Sequence, residues 1–200
     1  MEVAALCVAR KSIYKQIQGV DCYDIDRDAS TFPGGMPVIA HPPCRHWSAY
    51  CRHQATREGK EAEMELGRWC VQQVRQCGGV LEQPAHSRLW DECYIPKPGP
   101  HSELPWEWSL ELPQYWFGDE REKATWLFFF GLDRRSLPEL PFRLKPDGGD
   151  RRIWQLMSSK NERERTPKAF AEWLVACARL TTVSGEKHAK IFLASSRRLE

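Results

Sequence analysis

Four short stretches in the first half of the chain have the length and residue types of β-strands. They occupy residues 3–9, 20–26, 36–40 and 80–82. Between the last two, residues 58–77 carry apolar side chains mostly on one helical face, and the pair Gly78-Gly79 ends that pattern. Residues 12–17 fit a short helix or a turn. Strands that alternate with helices predict an α/β domain with a largely parallel sheet.

The second half of the chain is less regular. Residues 84–116 are rich in Pro, Trp and Gly and lack clear periodicity, which predicts a long surface excursion. The run at 124–131 is almost continuously apolar and predicts a buried strand. A proline-rich connection follows at 137–149, and a helix is predicted at 167–180, where a proline fits the first turn.

Together these elements predict the fold class and the domain limits. We expect an α/β domain with a Rossmann-like, doubly wound and mostly parallel sheet. The domain is predicted to span residues 1–183, because the apolar pattern loosens after the last helix. Residues 184–200 are predicted to form a tail or peripheral segment.

Composition narrows the class of protein without naming a function. Hydrophobic residues make up 42% and charged residues 28% of the 200 positions, which is ordinary for a globular domain. A net charge of +2 favours neither nucleic acid nor another partner, so any basic surface must be local. No apolar stretch has the length of a membrane span, and the N-terminus lacks the features of a signal peptide. We therefore expect a cytoplasmic protein whose eight cysteines are mostly reduced thiols.

Reactive side chains follow three of the predicted strands. The third strand leads through Pro42-Pro43 to Cys44, the fourth ends at Glu82, and Arg121 and Lys123 precede the Phe-rich strand. The carboxyl ends of strands in a doubly wound sheet converge on one crevice. Nearby cations stabilise a thiolate, and a carboxyl group can donate or accept a proton. This set suits nucleophilic attack on an electron-poor ring such as a pyrimidine.

Three other interpretations of these residues stay open. Cys44 could be an ordinary buried thiol, and Glu82 could serve an ion pair at a strand end. Five residues of one short segment could bind zinc: His41, Cys44, His46, Cys51 and His53. Their spacing is unlike that of usual zinc fingers, so we predict no metal.

The locally basic stretch 151–168 fits a solvated helix entry or a phosphate-contacting patch.

Several segments, in order, resemble the DNA cytosine-5 methyltransferases. The segment Pro42-Pro43-Cys44-Arg45-His46-Trp47-Ser48 resembles the family's Pro-Pro-Cys-Gln-x-Phe-Ser catalytic loop, and Leu81-Glu82-Gln83-Pro84 resembles its Glu-Asn-Val motif. Residues 117–131 resemble the Gln-x-Arg-x-Arg segment with its following strand. Residues 20–29 and 165–167 resemble two motifs at the cofactor pocket. Short phage and prophage proteins share this overall pattern.

The resemblance implies a reaction and a role for each matching residue. Cys44 would add to C6 of cytosine, Glu82 would hold N3 and the exocyclic amine, and Arg121 or Lys123 would support the base. S-adenosylmethionine would then donate a methyl group to C5, and in duplex DNA the base would be flipped out. The implied cofactor-binding residues are Asp24, Asp26, Pro42 and Arg10. The implied substrate-binding residues are Ser48, Arg45, Arg163 and Arg165.

The chain also departs from the family pattern at two places. The family's first strand ends in a Phe-x-Gly-x-Gly loop, whereas residues 6–12 contain no glycine, and the chain has no room for a target-recognition domain. Arg10 and Lys11 could instead hold a phosphate of a different donor or of a nucleotide substrate. Two alternatives to DNA methylation therefore stay open: a base- or nucleotide-modifying enzyme with another donor, and a non-catalytic module that binds DNA or a protein partner.

Overall fold

The computed structural model describes residues 1–48, 59–99, 105–119, 123–144 and 165–182. Six strands lie in this part of the chain: β1 (Val3–Leu6), β2 (Val20–Tyr23), β3 (Val38–Ala40), β4 (Gly79–Pro84), β5 (Glu107–Pro113) and β6 (Ala124–Phe130). Three α-helices accompany them: α1 (Lys60–Cys77), α2 (Leu89–Glu92) and α3 (Lys168–Arg179). The strands and long helices that the sequence predicts are confirmed, with ends that differ by a few residues.

The strands form one mixed sheet in the order β2-β1-β3-β4-β6-β5. The first four strands of that order run parallel to one another. Strand β6 is antiparallel to both β4 and β5, between which it lies. The α/β class is therefore confirmed, and the sheet is mixed, with four of its six strands paired in parallel.

The prediction of a long surface excursion at 84–116 is wrong for two parts of that range, which form helix α2 and strand β5. Trp108 and Leu112 of β5 are buried on the same face of the sheet, while Ser109 is buried on the other. Ser109 accepts a hydrogen bond of 2.9 Å from the indole of Trp90, which lies in α2. The alternation of Trp108, Leu110 and Leu112 is a strand signal, but the surrounding prolines and tryptophans obscured it.

Helices cover both faces of the sheet. Cys70, Val71 and Val74 of α1 belong to the apolar cluster on one face. Phe170, Leu174 and five further buried residues of α3 (Ala171, Trp173, Val175, Cys177 and Ala178) belong to the cluster on the other. Strand β6 supplies Leu127 and Phe129 to one cluster and Phe128 to the other. Because both faces of β6 are buried, its sequence is a continuous apolar run rather than an alternation.

The connection from β1 to β2 and the connection from β2 to β3 pack on opposite faces of the sheet. Tyr14, between β1 and β2, is buried in the α3 cluster, while Phe32, between β2 and β3, is buried in the α1 cluster. Strand β1 therefore has β2 on one side and β3 on the other, each reached across a different face. The carboxyl ends of β1 and β3 meet where the strand order reverses, the usual position of a ligand crevice in open α/β sheets.

The thiols and the predicted tail complete the comparison with the sequence. The seven cysteines among the described residues form no disulfide bond, and Cys70 and Cys177 are buried. No helix in the described part of the chain is long and apolar enough to cross a membrane. The predicted tail, 184–200, lies outside the described residues.

Candidate active site

Glu82 lies in the carboxyl half of β4, and three other segments bind its carboxylate. Oε2 is 3.1 Å from Nδ1 of His41, the residue that follows β3. Oε1 accepts hydrogen bonds from Nε2 of Gln114 at 3.2 Å and from Oγ1 of Thr125 at 3.3 Å. The Glu82 side chain is only 15% exposed. Both carboxylate oxygens are thus bound by the protein, toward the carboxyl end of the central strand β4.

The surroundings of Glu82 favour its ionised form. Burial alone would raise the pKa of this carboxyl group. The hydrogen bond from His41, the charges of His41 and Lys123, and the hydroxyl of Thr125 outweigh burial and lower the pKa of Glu82 below its usual value. At neutral pH the group is therefore a carboxylate that accepts hydrogen bonds.

His41 is itself held on its other side. Its Nε2 lies 2.9 Å from the hydroxyl of Tyr14, which is 1% exposed. Burial and the nearby charge of Glu82 raise the pKa of Tyr14, so the phenol keeps its proton. The His41 backbone N–H donates to the carbonyl of Leu6 at 3.0 Å, which joins the end of β3 to the end of β1.

The loop that carries Cys44 is tied to the same strand end. The side chain of Gln83, the residue after Glu82, donates from Nε2 to the carbonyl of Pro42. The backbone N–H groups of Trp47 and Ser48 donate to the carbonyl of Cys44 at 3.1 and 2.8 Å, which closes a tight turn. Because β3 and β4 pair with Ala40 opposite Leu81, the chain leaves β3 toward Cys44 next to the carboxyl half of β4, where Glu82 lies. Cys44 is partly buried.

The predicted base- and substrate-contacting residues take different positions. Lys123 directly precedes β6 and donates from Nζ to the carbonyl of Arg165 at 3.2 Å, so those two residues come together beside Glu82. Ser48 is buried in the Cys44 turn. Arg45 extends toward α1, where its guanidinium lies 3.8 Å from the carboxylate of Glu63. Arg121 and Arg163 lie outside the described residues.

Three of the four predicted cofactor-binding residues lie after the carboxyl ends of β1 and β2, while Pro42 follows β3 and binds Gln83 through its carbonyl. Arg10 forms a two-point ion pair with Asp26, with atoms as close as 2.8 Å, and both side chains are more than 60% exposed. Asp24 is 6% exposed, and its carboxylate is bound by Lys15 at 2.5 Å and by the backbone N–H groups of residues 26 and 27. The bond from Lys15 lowers the pKa of Asp24. Asp26 is thus the more accessible carboxylate of the two.

The described part of the Cys/His-rich segment does not form a metal site. No group of three potential ligands converges within the ranges that the structure describes. His41 pairs with Glu82, and His46 pairs with Glu63 at 3.2 Å. Cys51 and His53 lie outside those ranges.

Four residues of the Glu82 site have roles that the sequence did not indicate. The sequence marks His41 only as a candidate zinc ligand, and no motif singles out Tyr14, Gln114 or Thr125. The four residues come from separate segments that only the folded sheet brings together: three bind the Glu82 carboxylate, and Tyr14 binds His41. The position of His41 directly after a predicted strand is the one signal that could have marked it.

Comparisons with known proteins add no family to this description. No protein-family model matches the chain, and no curated protein matches it.

Proposed function

We propose that this protein modifies a pyrimidine base in nucleic acid or in a nucleotide through a covalent bond to Cys44, in the manner of the DNA cytosine-5 methyltransferases. One observation carries the proposal: the Cys44 turn is hydrogen-bonded to the strand that holds the buried Glu82 carboxylate. A thiol, a fixed carboxylate and a cation such as Lys123 are the groups that addition to a pyrimidine ring requires, and the fold carries them on neighbouring segments.

In the proposed reaction the Cys44 thiol gives up its proton and its sulfur bonds to C6 of the ring, while N3 takes up one proton. The Glu82 carboxylate accepts hydrogen bonds from the protonated N3 and the exocyclic amine, which favours cytosine. C5 becomes nucleophilic and takes a methyl group, which bound S-adenosylmethionine would supply, leaving as its demethylated product. A base removes the C5 proton, the Cys44 thiolate leaves C6, and N3 releases its proton, which restores the aromatic ring. A target in duplex DNA would have to be flipped out first.

A cofactor site next to these residues is part of the proposal. The four parallel strands and the reversal of strand order at β1 favour a crevice at that point, as in a Rossmann-like, doubly wound sheet. Asp26 is far more exposed than Asp24, although its carboxylate pairs with Arg10. Asp26 is therefore the residue that would hold the ribose hydroxyls of the cofactor, in exchange for that ion pair.

One observation favours a second candidate, a base-modifying enzyme with a different donor. The exposed Arg10 guanidinium lies at the crevice, where it could hold a phosphate. Calorimetry with S-adenosylmethionine and with its demethylated product separates the two candidates. Binding that weakens in Asp26→Ala supports the methyltransferase, and absence of binding supports the other donor.

Two trapping substrates test the proposed chemistry. A 5-azacytosine oligonucleotide captures a nucleophile that adds to C6, whereas 5-fluorocytosine is captured only after transfer of a group to C5. We expect a mass adduct at Cys44 with both substrates when S-adenosylmethionine is present. Cys44→Ala should abolish the adduct, and Cys93→Ala is the matched control that should retain it.

The outcomes of this experiment are distinct. An adduct with 5-azacytosine alone supports attack by Cys44 with a donor other than S-adenosylmethionine. If DNA, RNA and nucleotide forms of both analogues all fail to give an adduct that depends on Cys44, covalent catalysis is wrong. DNA binding that is unchanged by Cys44→Ala would then favour a non-catalytic binding module.

A further inference from the structure

We propose that His41 and Tyr14 form a buried positioning relay that fixes the Glu82 carboxylate for the base, an inference that rests on the role proposed above for Glu82. The three residues come from the segment after β1, the end of β3, and β4. Their side chains form one hydrogen-bonded line from Tyr14 through the two ring nitrogens of His41 to Glu82.

The carboxylate decides the direction of one hydrogen bond. An ionised carboxylate only accepts, so Nδ1 of His41 must carry the proton that lies toward Glu82. The Tyr14 hydroxyl can both donate and accept, and it pairs with Nε2 of His41 at 2.9 Å. The Tyr14 and His41 rings also pack against each other, with centroids 5.3 Å apart. Tyr14 thereby holds one orientation of the His41 ring, with Nδ1 toward Glu82.

The relay completes a cage around the carboxylate. His41 binds Oε2, while Gln114 and Thr125 bind Oε1 from β5's end and from β6. The titratable groups that face Glu82 are His41 and Lys123, and those that face Tyr14 are Glu82 and the thiols of Cys22 and Cys177. A carboxylate fixed at both oxygens needs little rearrangement when a base arrives, which is the purpose of a preorganised site.

Two substitutions of His41 separate positioning from space filling. Asn and Leu have nearly the same shape, but only Asn keeps a donor near the position of Nδ1. Titration of the Glu82 side-chain carboxyl carbon by ¹³C NMR, assigned with Glu82→Gln, reports on the relay in the full-length protein without any substrate. We expect the Glu82 midpoint to rise in His41→Leu and to lie closer to the wild-type value in His41→Asn. Equal midpoints in the two variants would overturn the relay.

Tyr14 is tested by the ¹⁵N spectrum of the His41 ring. The wild-type protein should show a single state of the ring with a proton on Nδ1, and Tyr14→Phe should show a mixture of states. Tyr23→Phe is the matched control, because Tyr23 is equally buried and its hydroxyl binds Arg27 instead. A mixture in the wild-type protein, or no change in Tyr14→Phe, would overturn the role of Tyr14.

The rate of trapping by 5-azacytosine links the relay to function. We expect His41→Leu to form the Cys44 adduct roughly ten- to a hundredfold more slowly than His41→Asn, the loss typical of a hydrogen bond to a charged group. Equal rates in two folded variants would overturn the positioning role. If the wild-type protein gives no adduct at all, the proposed function fails, while the NMR titration still decides the relay by itself.

Discussion

At the scale of single residues, Glu82 shows how neighbours determine the state of a buried acid. A carboxyl group that is 15% exposed would ordinarily hold its proton more tightly. Hydrogen bonds from His41 and Thr125 and the charge of Lys123 reverse that effect. The folded protein therefore binds the Glu82 proton more weakly than the unfolded chain does.

This difference makes a contribution to stability that depends on pH. Because the folded-state pKa of Glu82 is lowered, its contribution is fully present above the unfolded value of about 4.3 and is lost as the pH falls through the folded value. Glu82→Gln removes the contribution. We expect the difference in unfolding free energy between wild type and Glu82→Gln to shrink as the pH is lowered from 7 to about 3.5, as measured by urea denaturation. A constant difference across that range would contradict the assignment.

At the scale of elements, the junction between α1 and β4 depends on the close approach of two backbones. Gly79 begins β4 with a φ of 130°, and a Cβ at this position would overlap the carbonyl oxygen of Val38 in β3. Gly78 and Gly79 appear in the sequence as an ordinary helix stop. The structure adds that Gly79 is also required by the neighbouring strand.

Substitution of Gly79 should therefore be much more costly than substitution of another glycine with positive φ. We expect Gly79→Ala to lower the free energy of unfolding by at least about 3 kcal/mol, because backbone strain and overlap with Val38 add together. Gly35→Ala is the control: its φ is 85°, but no atom lies within 4 Å of the added Cβ. That variant should lose about 1 kcal/mol in denaturant unfolding. Similar losses for both variants would contradict the close approach.

At the scale of the whole molecule, two apolar clusters sandwich one sheet. Helix α3 comes from the end of the described chain, yet it packs against residues of β1, β3 and β6 in a single cluster. Arg179 at the end of α3 also donates to the carbonyls of Met1 and Gln18. The two ends of the described chain are thus joined in one folded unit.

A substitution in α3 should consequently affect the entire fold. Leu174 is fully buried, and Leu174→Ala is expected to cost about 2–5 kcal/mol while tryptophan fluorescence and far-ultraviolet circular dichroism still unfold together. Leu180→Ala, at a side chain that is 48% exposed, should change stability by less than about 0.5 kcal/mol. Two separate transitions in Leu174→Ala would show that the clusters unfold independently.

The sequence by itself determined most of the elements and two residues of the candidate site. Apolar periodicity is a local property, so it located β1 to β4, β6 and both long helices, and the Cys44 and Glu82 motifs are contiguous in the chain. The tertiary structure alone decided the pairing of β6 between β4 and β5 and the burial of β5. It also decided the binding of Glu82 by His41, Gln114 and Thr125 and the contact of Tyr14 with His41. The physical reason is that a hydrogen bond between distant segments depends on the register of the sheet, which no local pattern contains.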